Sequence, residues 1–393
     1  MQNIRILYID NLKTADEEIR KIGVDANYIR MMSMKSIFVT LKLENLLTNE
    51  ANILKQEMLG KGGEAAINRK AFNYSENKTD VLLMGTLNQY KRLIYKLNLQ
   101  TGSLKFIGSE IKDLIDCLEK GKIDHFECCN HKLNIGERTY IMGILNVTPD
   151  SFSDGGSYSN VDKAVKKAKD MIKAGADIID IGGESTRPGH IEVDSIEEIN
   201  RVVPVIDILS KEITVPISVD TSKAIVAEKA LEAGAHIVND VWGLQKDRNM
   251  ADVISNKGAG VIIMHNSKNA VYKDIIGDVI RFLRKSINIA NEAGIRYESI
   301  IIDPGIGFGK NLEQNLEIMR KLDELCSLKQ PILIGTSRKS MIGNILELPV
   351  GERVEGTAAT VTLAIAKGVE LIRVHDVKEM ERVAKMTDSM IRD

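Results

Sequence analysis

Residues 173–186 read Lys173-Ala-Gly175-Ala-Asp-Ile-Ile-Asp-Ile-Gly-Gly-Glu184-Ser-Thr186. A helix-like stretch ends in glycine, an apolar run follows at once, and the run finishes in polar side chains. Glycine just past a helix end takes the left-handed conformation that closes the last turn. The apolar run is short, β-branched and not alternating, as expected of a parallel strand buried on both faces. The unit recurs. Glu232-Ala-Gly234 precedes Ala-His-Ile-Val-Asn-Asp, and Gly258, Gly294 and Gly368 stand before further apolar runs.

Eight such runs are centred near Ile144, Ile179, Ile217, Val238, Ile262, Ile301, Leu333 and Ile372. Helical stretches separate most of them. One opens with a capping box, Ser195-Ile-Glu-Glu198, and Pro204 within it predicts a kink or a split. Eight β/α units match a closed (β/α)8 TIM barrel; an open doubly wound sheet is the rival. The run ends decide between them. They are Asn146, Glu184 to Thr186, Asp220, Asn239-Asp240, His265, Asp303, Ser337 to Lys339, and Arg373 with His375. A barrel gathers such ends at one mouth, where active sites are built, whereas an open sheet spreads them along a crevice.

Residues 1–132 read differently. Apolar runs at 4–9, 37–43 and 81–84, with helical stretches around 15–22, 50–59 and 111–118, predict a small α/β domain. All seven prolines lie after residue 148. The expected division is therefore 1–132 and 133–393, with Asn134-Ile-Gly-Glu137 as the turn of a hairpin closing the barrel floor.

Composition bounds the function. The 393 residues are 44% hydrophobic and 27% charged, with a formal net charge of −2. That balance, near neutral in both parts, argues against nucleic acid as a partner. The longest stretches without a charged residue are 139–149 and 356–366, well short of the roughly 20 residues of a membrane span. Residues 1–10 lack a signal-peptide core, and four cysteines imply no disulfide framework, so a cytoplasmic location is expected.

The first run leads into Gly143-Ile-Leu-Asn146-Val-Thr-Pro-Asp-Ser-Phe152-Ser-Asp154-Gly-Gly156. The others lead into Glu184-Ser-Thr186-Arg187-Pro188-Gly189, Ser218-Val-Asp220-Thr-Ser-Lys223, Asp303-Pro-Gly-Ile-Gly-Phe308-Gly-Lys310, Gly335-Thr-Ser-Arg338-Lys339-Ser340 and Arg373-Val-His375-Asp376. Over residues 139–388 these blocks, in this order, resemble the dihydropteroate synthases of the pterin-binding TIM-barrel superfamily. Residues 1–132 lie outside the resemblance.

The resemblance implies joining of p-aminobenzoate to 6-hydroxymethyl-7,8-dihydropterin diphosphate with release of pyrophosphate. Pyrophosphate would leave first and expose a cationic methylene on the ring. The residues suit these roles. Asp220 and Asp303 can accept from the pterin donor edge, Asn239 can do both, and Lys339 can donate to the acceptor edge. Asp220, with Asp154, would stabilise the developing cation. Asn146 would share Mg2+ with the diphosphate, which Arg187, Arg373 and His375 would grip. The catalytic set is then Asp154, Asp220, Lys339 and Arg373. The aminobenzoate would lie among Phe152, Thr186, Pro188, Phe308 and the Lys339 stem, its carboxylate at Ser340 on a helix N-terminus. A homodimer through the barrel is expected.

Taken singly, each residue has a plainer reading: a strand-end Asp as a helix cap, Arg187 as a surface ion pair, either Phe as packing. Their combination at eight strand ends favours chemistry. Two features depart from the family pattern. Gln314 precedes Asn315 where relatives often carry His, and Asn239-Asp-Val-Trp242-Gly-Leu-Gln245 is bulkier than usual. A pterin-dependent methyltransferase of the superfamily would need neither the diphosphate grip nor the long first loop. A non-catalytic pterin binder would have lost Asn146, Lys339 or Arg373. His125-x2-Cys128-Cys129-x-His131 holds four potential metal ligands, but adjacent cysteines are poorly placed to share one ion, so a linker beside buried thiols is expected.

Overall fold

The computed structural model describes residues 3–73, 75–120, 122–148, 157–184 and 193–392. The chain forms two compact units, Met1–Gly121 and Lys122–Asp393.

The first unit is α/β. Strands β1 (Phe38–Leu47), β2 (Glu64–Ile67) and β3 (Lys78–Thr86) form an antiparallel sheet in the order β1-β3-β2. Strand β3 alternates strictly, burying Thr79, Val81 and Leu83 on one face. Against that face pack Leu54 and Met58 of the helix Thr48–Leu59 and Tyr90, Leu93 and Leu97 of the helix Leu87–Asn98. The Tyr90 hydroxyl donates to the Leu83 carbonyl at 2.8 Å, which satisfies the polar end of a fully buried ring. Residues 4–9, expected as a strand, lie outside the sheet, with Ile4, Ile6 and Tyr8 exposed. Their β propensity has no ladder partner to act on, and propensity without pairing does not make a strand.

The second unit is the barrel. Its strands are β6 (Tyr140–Asn146), β7 (Ile178–Gly182), β8 (Ile217–Asp220), β9 (Ile237–Asp240), β10 (Gly260–Met264), β11 (Ile300–Asp303), β12 (Leu333–Ile334) and β13 (Leu371–Val374), preceded by the hairpin β4 (His125–Cys128) and β5 (His131–Asn134). The eight-stranded sheet runs β11-β10-β9-β8-β7-β6-β13-β12 with every paired neighbour parallel. A parallel bridge between Ile302 and Ile332 closes it, the Ile302 N–H donating to the Pro331 carbonyl at 3.0 Å. Gly175 and Gly234 both sit at φ +107°, which confirms the left-handed helix ends of the repeating unit.

The hairpin forms the barrel floor. Phe126, Cys128 and Leu133 pack with Met142, Ile178, Ile237, Ile262, Ile301, Leu333 and Leu371 in one cluster. A Cβ on Gly260 would lie 2.6 Å from Phe126 Cζ, so only glycine fits there. The boundary therefore falls at 121/122 rather than 132/133, because the hairpin's side chains complete the barrel's core. Its turn is Cys129-Asn130, with Cys129 at φ +51°; the turn towards β6 is Gly136-Glu137, between the bridged Ile135 and Arg138.

Two helix expectations also change. Asp194, not Ser195, caps the helix Ser195–Glu212, accepting from the Ile196 N–H at 2.8 Å. That helix runs on through Pro204, its buried side Val202, Val205, Ile206 and Leu209 outweighing the lost hydrogen bond.

Candidate active site

Two residues beyond the floor layer, on the same inward face, four strands change character: Ile178 is followed by Asp180, Ile237 by Asn239, Ile301 by Asp303 and Leu371 by Arg373. The barrel interior is thus apolar below and polar above. Asp180, Asp220, Asn239 and Asp303 are each at most 5% exposed.

Arg373 organises the centre. Its Nε donates to Asp180 Oδ2 at 2.6 Å and its Nη2 to Asp220 Oδ2 at 2.7 Å. Asn239 Nδ2 donates to the same Asp180 oxygen at 3.2 Å. The other carboxylate oxygens, Asp180 Oδ1 and Asp220 Oδ1, and the Ser218 hydroxyl are buried without a hydrogen-bond partner. Burial raises the Asp220 pKa, with Asp180 adding to the rise and Arg373 opposing it. Burial works against the Arg373 charge, but the two carboxylates outweigh it and strengthen its hold on the proton. Orphaned acceptors at this depth are costly unless a donor arrives, so the cluster is built to receive hydrogen-bond donors.

The loop after β11 supplies the opposite wall. Asp303 Oδ1 accepts from the Gly305 N–H at 2.7 Å, and burial raises its pKa. Lys339 Nζ donates to the Ile306 carbonyl and lies 4.5 Å from the centre of the Phe308 ring. Burial pushes Lys339 down to about 8. Gly305 sits in the left-handed region, and a Cβ there would lie 2.0 Å from the His265 carbonyl oxygen. Lys310 pins the loop from inside, its Nζ at 2.8 Å from His265 Nδ1 and from the Gly305 carbonyl, and 2.9 Å from that of Phe308. Burial holds Lys310 near about 7 and His265 near about 3, so His265 is a neutral acceptor.

On the remaining side, His375 Nδ1 is 3.0 Å from Ser337 Oγ, and burial lowers its pKa to about 4, leaving a neutral imidazole. Asn146 ends β6; a Cβ on Gly182 would come within 3.5 Å of its Oδ1, so that oxygen faces the glycine gap at the mouth. Ser340 opens the helix Ser340–Leu346 and is exposed.

The structure thus brings together Asp220, Asn239, Asp303, Lys339 and Arg373, with Phe308 against Lys339. Phe152, Asp154, Thr186, Arg187 and Pro188 lie outside the described residues. The sequence reading passed over Asp180 and Lys310. A carboxylate inside an apolar strand run was the available signal for Asp180. The two departures from the family pattern find local explanations. Gln314 and Asn311 form a reciprocal cap on the helix Leu312–Arg320, and Asn315 accepts from the Gly307 N–H at 2.7 Å. Asp240 accepts from the Trp242 and Leu244 N–H groups at 2.8 and 2.7 Å, folding the bulky segment into a turn.

The His125–His131 cluster does not converge. Cys128 is in the floor core, Cys129 is exposed, His125 pairs with Asp124, and the His131 ring meets His236 edge-on at 4.5 Å. Only one thiol is buried, and the segment is a hairpin rather than a linker. Among the described residues no group of three His, Cys, Asp or Glu side chains is placed to hold a metal ion.

Residues 142–375 match the model of a family described as pterin binding enzymes. A dihydropteroate synthase of Clostridium beijerinckii is 56% identical over 262 residues, covering 66% of this chain and 97% of that protein. A "Probable bifunctional folylpolyglutamate synthase/dihydropteroate synthase" of Halobacterium salinarum is 38% identical over 388 residues, 97% of this chain and 46% of that protein. A Clostridium difficile dihydropteroate synthase, crystallised in the presence of pteroic acid, superposes with a TM-score of 0.65 at 56% identity, covering 66% of this chain and all of that one. These relatives are named as synthases, which favours the transferase over the methyltransferase and the non-catalytic binder. The chain belongs to the pterin-binding enzyme family, and within it to the dihydropteroate synthases.

Proposed function

We propose that the barrel mouth binds a dihydropterin diphosphate on Asp220, Asn239, Asp303 and Lys339 and joins it to p-aminobenzoate with loss of pyrophosphate. The observation that carries this is the buried cluster of Asp180, Asp220 and Arg373, with two carboxylate oxygens left to accept. Two carboxylates around one guanidinium leave a net negative wall when both are ionised, which suits a donor-rich ring edge and a carbon that turns cationic as its leaving group departs.

Arg373 completes the diphosphate grip with Arg187 and His375, whose neutral ring still carries one N–H to donate. Asn146 offers a hard oxygen of the kind Mg2+ takes, and diphosphate oxygens and water would fill the other positions. Bound there, the ion would neutralise charge on the leaving group. Phe152, Thr186, Pro188, Phe308 and the Lys339 stem would enclose the aminobenzoate, with Ser340 at its carboxylate and Asp154 beside the cation. The aniline needs no dedicated base, being a nucleophile at neutral pH.

A homodimer through the barrel is supported by an apolar surface on three helices. Ile345 and Leu346 of Ser340–Leu346, Leu363 of Val354–Ala366, and Met386 and Met390 of Val377–Ile391 are all exposed. Four cysteines in 393 residues, too few for a disulfide framework, support a reducing, cytoplasmic setting. No described helix is long and apolar enough to cross a membrane.

Purified chain with Mg2+, pterin diphosphate and p-aminobenzoate is expected to release pyrophosphate and form dihydropteroate. Lys339→Ala and Asp220→Asn should each lower kcat about 100-fold or more with thermal unfolding still cooperative. Wild-type rates in both folded variants would remove this assignment of the site.

A further inference from the structure

Arg353 stands outside every strand-end motif, and the proposed chemistry leaves it unused. It precedes the helix Val354–Ala366, and its guanidinium reaches back to the segment that carries Lys339. Its Nη1 donates to the Arg338 carbonyl at 3.0 Å and to that of Lys339 at 3.3 Å, and its Nε donates to the Leu348 carbonyl at 3.0 Å. The guanidinium also fills the space beside Gly343 of the helix Ser340–Leu346, where a Cβ would collide with it. Each of these hydrogen-bond partners is main chain. An arginine directed at three carbonyls holds backbone geometry, and its planar fork of donors suits that task better than the compact ammonium of a lysine.

The backbone it holds is strained. Arg338 has φ +58°, in the left-handed region that a residue with a Cβ rarely adopts. Its N–H donates to Thr357 Oγ1 at 3.3 Å, its carbonyl accepts from Arg353, and its side-chain Nε donates to Asp376 Oδ2 at 3.0 Å. Thr357 is fully buried and donates in turn to the Arg353 carbonyl at 2.9 Å. Such a conformation persists only where its surroundings over-determine it, and strain of this kind gathers at functional sites. The next residue is Lys339, whose ammonium meets the Ile306 carbonyl and the Phe308 ring. A lysine stem is long and flexible, so fixing the backbone at its root limits where the ammonium can reach.

We infer that Arg353 is a positioning residue for Lys339: by bracketing the Arg338 and Lys339 carbonyls it holds a strained turn that aims the ammonium at the pterin. The inference rests on the proposed reading of Lys339 as a pterin contact.

The test uses the full chain with Mg2+ and compares Arg353→Met, Arg353→Lys, Lys339→Ala and the double variant Arg353→Met/Lys339→Ala. Calorimetry measures binding of 6-hydroxymethylpterin, and steady-state kcat/KM for the pterin diphosphate is followed against pH. Arg353→Met should weaken pterin binding about tenfold, and Arg353→Lys, which keeps the charge but loses the fork, about threefold. In the double variant the loss should match that of Lys339→Ala alone, because a residue acting through Lys339 has nothing left to position. Burial brings the Lys339 pKa down to about 8, so an ammonium released from its place should carry the alkaline limb of kcat/KM upward in Arg353→Met. Additive losses overturn the inference and mark a merely structural bracket. So does an alkaline limb that stays at about 8 in the folded Arg353→Met protein. If Arg353→Met does not unfold cooperatively, Arg353→Lys and its double with Lys339→Ala carry the same comparison. If Lys339→Ala binds and turns over like wild type, the reading of Lys339 fails and the inference with it. If Lys339→Ala loses affinity while the Arg353 variants do not, the inference alone fails.

Discussion

Lys339 shows how much one buried charge controls. Burial brings its pKa from 10.5 to about 8, with Asp303 the main opposing influence. As pH rises through about 8 the free protein loses this cation, so kcat/KM should fall on an alkaline limb centred there, and Lys339→Arg should move that limb upward. The stability sign is opposite. Between about 8 and 10.5 the unfolded chain binds more protons than the folded one, so this group makes stability rise with pH across that window, while the cost of burying the ammonium is fully present below it. A pH–rate profile that stays flat to pH 9.5 would contradict the assignment. At the same scale, Asp180 lies within residues 173–186, yet its role was not legible from them. In a strand buried on both faces, alternation does not say which side chains face the axis. Only closure of the barrel put Asp180 beside Arg373.

At the scale of elements, a hairpin closing the barrel floor was expected with its turn at 134–137. The floor hairpin is there, but its turn is Cys129-Asn130 and its first strand, His125–Cys128, comes from the stretch read as a linker. Its residues gave a weak signal because a four-residue strand has too little alternation to stand out. Gly260 tests the packing. Gly260→Ala places a methyl against the Phe126 ring in a closed core, and should destabilise the protein by about 1–3 kcal/mol in denaturant unfolding. The floor lies at the opposite ends of the strands from the mouth, so kcat at low temperature should be unchanged. An alanine variant as stable as wild type would mean that the floor is loosely packed. The barrel strands themselves were legible because they are largely apolar and several follow a glycine-ended helix. The shift of the cap from Ser195 to Asp194 was not, since both residue types serve as caps and Glu198 was claimed by Lys223.

For the whole molecule, relatives differ in how much of the chain they match. The Clostridium beijerinckii synthase is matched over 97% of its length by 66% of this chain, whereas the Halobacterium salinarum protein matches 97% of it. The barrel should therefore fold without residues 1–121. A chain of residues 122–393 is expected to keep its turnover number and to run at dimer mass in light scattering, while Leu363→Glu with Met386→Glu should give a monomer. A monomeric 122–393 beside a dimeric full chain would instead assign association to the first unit.

The sequence by itself determined the repeating β/α unit, the barrel and most of the polar residues at its mouth, because glycine-ended helices, doubly buried strands and strand-end side chains are local patterns. Tertiary structure alone decided that Arg373 bridges Asp180 and Asp220, that Lys223 ties Glu184 to Glu198, and that the unit boundary lies at 121/122. The ion pairs among them join residues 25 to 193 positions apart. Their energies depend on burial and distance, which exist only once the barrel has closed.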